Sequence, residues 1–74
     1  MTFEEFLEKY IDVFDDTDIS ELKPETIFRD LDEWSSLHAL ATINMLDKVF
    51  GKKITIEQMK QLKKVGEIYE LANS

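Results

Sequence analysis

The sequence predicts an all-α fold: a small helical bundle of three main helices plus one short helix, with a long loop between the first two main helices. Three observations predict it. Apolar residues recur at steps of three and four in separate stretches, the period of a helix with one buried face. No stretch alternates polar and apolar for long enough to suggest a strand. Seventy-four residues, 43% of them apolar, suffice for one small core, so residues 1–74 are read as a single domain.

The first helix rests on Phe3, Phe6, Leu7, Tyr10, Val13 and Phe14, which share a face. Thr2 and Glu5 have the spacing of a capping box, and Glu4 and Glu5 suit the positive end of the helix dipole. The pattern runs for about four turns and stops near Asp15, Asp16 and Asp18, residues that favour turns and caps. Residues 15–35 then show no sustained period. Leu22, Ile27, Phe28, Leu31 and Trp34 are scattered through them, so this loop is packed down, with a short helical turn expected over Pro24–Phe28. Trp34 reads either as an anchor of the loop in the core or as a partner contact.

Ser35 and Ser36 open the second main helix, with Ala39, Ile43, Leu46 and Phe50 along one side and Gly51 as its C-terminal stop. Thr55 and Gln58 form a second capping box for a short helix over Ile56–Gln61, with Met59 and Leu62 inward. Val65, Ile68, Leu71 and Ala72 mark a last helix to near Asn73. From these faces Phe6, Ala39, Ile43, Leu46, Phe50, Ile54, Leu62 and Ile68 are expected to be largely buried.

Composition narrows the function. The absence of cysteine excludes disulfides, thiolate metal sites and a cysteine nucleophile. The net charge is −7, which disfavours nucleic acid and anionic lipid surfaces. That charge is uneven: residues 1–35 carry a net −9 and residues 36–74 a net +2. The cluster Lys52, Lys53, Lys60, Lys63 and Lys64 reads as a solvated surface balancing the acidic half. No apolar run approaches the roughly 18 residues of a membrane span, and the acidic start lacks the features of a signal peptide. A cytoplasmic protein without membrane insertion is therefore expected. Asp15, Asp16 and Asp18 lack the glycine and spaced glutamate of a calcium loop, so no metal site is expected. Ser36 and His38 are two residues apart, about 200° round a helix, and cannot form a hydrolytic pair. His38 is read as an exposed helix-surface residue. So small a chain favours a binding or carrier role over catalysis.

Order and spacing sharpen this. Phe28-Arg29-Asp30-Leu31, then Ser35-Ser36-Leu37 at the head of a helix ending in Phe50-Gly51, then Val65-Gly66 at the head of the last helix, resemble the acyl carrier protein family over essentially the whole chain. The resemblance implies a carrier, not an enzyme. A phosphopantetheinyl transferase would attach 4′-phosphopantetheine to the Ser36 hydroxyl. The arm would then hold an acyl or aminoacyl group as a thioester for the acyl-loading and acyl-using enzymes of a fatty acid, polyketide-like or other specialised pathway. A chain without cysteine needs such a borrowed thiol, and a helix N-terminus suits the phosphate. The protein is expected to be a monomer.

Two departures stand out. Ser35 occupies the aspartate position of the family's Asp-Ser-Leu motif, and Ser35 is read as the helix cap. The second helix also lacks the family's acidic surface. It offers Leu37, Leu40, Ala41 and Asn44 for docking, with Leu40 reading equally as a core residue, followed by Lys48, while Asp30, Asp32 and Glu33 supply electrostatic steering. The rival reading is an unmodified interaction module that keeps the fold without the arm.

Overall fold

The computed structural model describes every residue from Met1 to Ser74. It is all-α, with four helices: α1 (Phe3–Tyr10), α2 (Ser36–Phe50), α3 (Ile56–Gln61) and α4 (Val65–Asn73). Three single 3-10 turns, Ile11–Val13, Ile19–Glu21 and Phe28–Asp30, punctuate the link between α1 and α2. No helix is long and apolar enough to cross a membrane.

Both capping boxes form. Thr2 Oγ1 accepts from Glu5 N at 3.2 Å while Thr2 N donates to Glu5 Oε1 at 2.8 Å. The Thr55–Gln58 pair repeats this at 2.9 and 3.1 Å. Gly51 closes α2 with φ +67°, the left-handed conformation that glycine adopts without a Cβ penalty. The α-helical part of the first helix is shorter than expected. After Tyr10 the chain tightens into a 3-10 turn closed by Phe14 N donating to Ile11 O at 3.0 Å. That ending returns Phe14 to extended backbone and sends its ring inward.

The core is apolar apart from Thr42. Phe6, Tyr10, Phe28, Leu46, Val65 and Ile68 are fully buried, and Leu7, Phe14, Leu22, Met45, Met59 and Ala72 nearly so. Three of the eight expected core residues, Phe6, Leu46 and Ile68, are among them. Ala39, Ile43, Phe50, Ile54 and Leu62 are only half-buried. The reason for the first three is rotation: α2 turns Thr42, Met45 and Leu46 inward, so the row through Ala39, Ile43 and Phe50 becomes a flank. Ile54 and Leu62 sit in the links that flank α3, at the margin of the core.

Aromatic rings form a chain through this core. Tyr69 meets Phe3 and Phe6 edge-on at 5.4 and 5.6 Å, Phe6 stacks on Tyr10 at 5.4 Å, and Tyr10 meets Phe14 at 5.1 Å. Phe14 then touches Trp34, and Trp34 lies 4.7 Å from Phe28. The Tyr10 hydroxyl is buried and makes no hydrogen bond, while the Thr42 hydroxyl donates to His38 O at 2.8 Å. Burial raises the Tyr10 pKa far above its ordinary value, an effect the neighbouring Thr42 side chain offsets only in part.

The long link is pinned rather than floppy. Leu22 and Phe28 are buried, and the segment around Ile27 pairs with the α3–α4 junction as one antiparallel bridge to Lys64. Phe28 N donates to Lys63 O and Val65 N to Thr26 O, at 3.2 and 2.8 Å. Gly66 N donates to Pro24 O at 2.9 Å, and a Cβ on Gly66 would lie 2.8 Å from that oxygen. Only glycine fits this approach. Arg29 reaches across to the carbonyls of Leu62 and Met59 at 2.6 and 2.9 Å, satisfying the end of α3. The helical turn expected over Pro24–Phe28 is displaced. Pro24 and Glu25 make a tight turn closed by Thr26 N to Lys23 O, and the 3-10 turns lie on either side of it.

Candidate functional site

The site is the junction where the pinned link becomes α2. Phe28, buried at the foot of the link, holds Trp34 against itself. Trp34 is half-buried and anchors the last residues before the helix. The chain then runs extended through Ser35 (φ −148°, ψ 176°) and turns helical at Ser36.

Glu33 organises the approach. Its carboxylate accepts from the backbone N–H groups of Asp15, Asp16 and Thr17, from the Thr17 hydroxyl at 2.8 Å and from His38 Nε2 at 3.2 Å. Partial burial alone would raise the Glu33 pKa, but these donors outweigh it and hold the carboxyl at about 2. One side chain thereby ties the end of the first helical segment to the start of α2. His38 is part of this tie and is not the exposed surface residue expected. Its side chain is 17% exposed, stacks on Phe14 at 5.4 Å and 25°, and lies 6.0 Å from Trp34.

Ser35 holds the cap position, yet its hydroxyl caps no backbone amide. It pairs instead with His38 Nδ1 at 2.9 Å. Ser36, the first residue of α2, is exposed and its hydroxyl makes no hydrogen bond within the protein. Next to it Leu37 is 74% exposed, and Leu40 one turn on is 55% exposed, so two apolar side chains flank the serine on the surface.

The candidate docking residues are brought together in part. Leu37 and Ala41 line a hollow of about 220 Å³ with Val13, Asp15 and His38. Ala41 and Asn44 line a second of about 320 Å³ against α1, floored by Val13, Met45 and Val49 and edged by Lys9, Asp12 and Lys48. Leu40 lines neither hollow. Asp32 and Glu33 join Asp16 and Glu21 around a third, acidic hollow of about 310 Å³, while Asp30 is exposed and stands apart from it. The Glu33 carboxylate is committed to its internal donors, so it contributes charge to the surface but no free contact.

No family model, curated protein or solved structure matches the chain.

Sequence reasoning missed the Ser35–His38 pair and the role of Glu33. The first had a signal: residues three apart at a helix start face one another, and Ser35 and His38 have that spacing. The second had none, because the donors of Asp15, Asp16 and Thr17 reach Glu33 only once the link has folded back. Val13 was assigned to the core face of the first helix. The 3-10 turn instead leaves it half-buried on the two hollows beside α2.

Proposed function

We propose that the protein is a discrete acyl carrier: a bundle of three main helices and one short one that bears a 4′-phosphopantetheine arm on Ser36. The observation that carries this reading is the setting of Ser36. Its hydroxyl is exposed and unengaged at the first residue of the longest helix, held there by Phe28, Trp34 and the Glu33 network. The backbone N–H groups of Ser36 and Leu37 have no partner in the protein, so a phosphodiester on Ser36 would lie beside two free donors and the positive end of the dipole. The arm would supply the thiol that carries an acyl or aminoacyl group as a thioester. This chain would present the serine, leave the arm free to move, and offer Leu37 and Leu40 to the phosphopantetheinyl transferase and to the enzymes that load and use the cargo. A monomer located in the cytoplasm suits that role.

The exposure of Leu37 and Leu40 also favours the rival reading, an interaction module with no arm, since both side chains would serve a partner helix equally well. Intact mass separates the two. Incubation with coenzyme A and a broad-specificity phosphopantetheinyl transferase should add roughly 340 Da, the mass of one arm. Ser36→Ala should abolish the gain with the helical circular dichroism unchanged, and Ser35→Ala should retain it. A wild-type chain that folds but gains no mass supports the armless module. Loss of the gain in Ser35→Ala alone would move the attachment to Ser35.

A further inference from the structure

Ser35, His38 and Glu33 form a continuous hydrogen-bonded chain, and its polarity is set by chemistry. A carboxylate only accepts, so the neutral imidazole must place its proton on Nε2 and donate to Glu33 across 3.2 Å. Nδ1 is then bare and accepts from the Ser35 hydroxyl across 2.9 Å. This is a nucleophile, a base and an orienting carboxylate in the order that activates serine for acyl transfer. The ring is preorganised, packed against Phe14 at 5.4 Å and near Trp34, while Glu33 is fixed by four donors besides His38. Ser35 itself is exposed, and its hydroxyl performs no capping duty that would explain it otherwise. His38 also lines a shallow, open hollow with Val13, Leu37 and Ala41. Asp15 on the same hollow disfavours an anionic acyl group.

We infer that Ser35 is an acyl-accepting nucleophile, activated by His38 and positioned through Glu33, that takes a short neutral acyl group from an activated ester or thioester. In the step, Ser35 Oγ bonds to the acyl carbon as its proton passes to His38 Nδ1. The carbon–sulfur or carbon–oxygen bond to the leaving group breaks, and His38 returns the proton to the departing thiolate or alkoxide. The products are an oxyester on Ser35 and a free thiol or alcohol. No oxidant, metal or phosphopantetheine arm is required, so the inference stands apart from the carrier reading and is tested on the unmodified chain.

The test is p-nitrophenyl acetate with the full unmodified protein, following p-nitrophenol release and mapping the acetylated residue by peptide mass spectrometry. Wild type should acquire one acetyl group on Ser35. Ser35→Ala, with unchanged circular dichroism, should lose that label, and Ser20→Ala, at an exposed hydroxyl of the long link, should keep it at the wild-type rate. His38→Gln should slow labelling by roughly 10²-fold or more, the span general-base assistance supplies. Ring-nitrogen chemical shifts in ¹⁵N-histidine protein give an independent reading that needs no variant: neutral His38 should carry its proton on Nε2. Acetylation confined to lysines, Tyr69 or Ser36 overturns the proposal, as does a proton on Nδ1. A folded His38→Gln chain that labels Ser35 at the wild-type rate overturns it too.

Discussion

Glu33 shows how one side chain sets the shape of the site. Its carboxylate takes the place of solvent as the partner of three consecutive backbone amides, Asp15 to Thr17, just beyond the first helical segment. The bound state favours ionisation, so the pKa falls from the ordinary 4.5 to about 2. The sign of the linkage follows. A depressed carboxylate pKa stabilises the fold fully above the unfolded value of 4.5, and that contribution is lost as pH falls towards about 2. Chemical denaturation of wild type and Glu33→Gln across this window should therefore diverge: wild type is the more stable at neutral pH and loses more of its stability on acidification. Glu5 and Glu67, whose carboxylates are also held down by backbone N–H groups, supply a background common to both proteins. Parallel curves would mean that the Glu33 network adds nothing to stability.

At the scale of the elements, α2 decides how the rest packs. Its inward residues are Thr42, Met45 and Leu46, and Phe50 lies on a flank, 5.8 Å from Phe6. Phe6→Ala should cost about 3–5 kcal/mol, the range for a fully buried ring, and Phe50→Ala distinctly less, both measured by denaturant unfolding. Equal losses would place Phe50 in the core after all. The two glycines separate two causes in the same assay. Gly51→Ala meets no atom within 4 Å but must hold φ +67°, a strain of about 1–2 kcal/mol. Gly66→Ala has ordinary helical backbone but drives a Cβ to 2.8 Å from Pro24 O, so it should loosen the long link specifically. Hydrogen exchange of the Gly66 and Val65 amides would report it. The starts of α1 and α3 and the stop of α2 were legible in the sequence because those caps are local: Thr2 with Glu5, Thr55 with Gln58, and Gly51 each act within one turn, whereas the early end of α1 at Tyr10 carried no such signal. The face of α2 was misread because Ala39, Ile43 and Phe50 make as good a stripe as the true one, and only the neighbours choose between them. The attachment candidate Ser36 came from the resemblance of Ser35-Ser36-Leu37 to the carrier motif, since a serine before a periodic stretch by itself signals only a helix cap. The Arg29 clasp on α3 was not, since its partners lie some thirty residues away.

For the whole molecule, charge and apolar surface are divided in a way that predicts how a partner arrives and how it stays. Residues 1–35 carry a net −9, and in the link that leads to Ser36 Asp30 and Asp32 are exposed while Asp16, Glu21 and Asp32 share an acidic hollow. The surface that follows along α2 is of another kind. Leu37 and Leu40 stand out into solvent, Ala41 bridges the two hollows against α1, and Lys48 closes the row. Long-range attraction acts on the encounter, whereas desolvated apolar contact resists separation. Under the carrier reading, the association rate with the phosphopantetheinyl transferase should fall as salt rises, while dissociation changes little. Asp30→Asn with Asp32→Asn should reproduce the high-salt association rate at low salt. Leu37→Ala should leave association nearly unchanged and speed dissociation. Ala41→Glu should weaken binding by roughly tenfold or more, because docking would bury an unpaired charge. Stopped-flow association and dissociation rates across a salt series test all four outcomes together. A dissociation rate that climbs steeply with salt, with affinity indifferent to Ala41→Glu, would place the ionic contacts at the centre of the interface and the leucines at its rim.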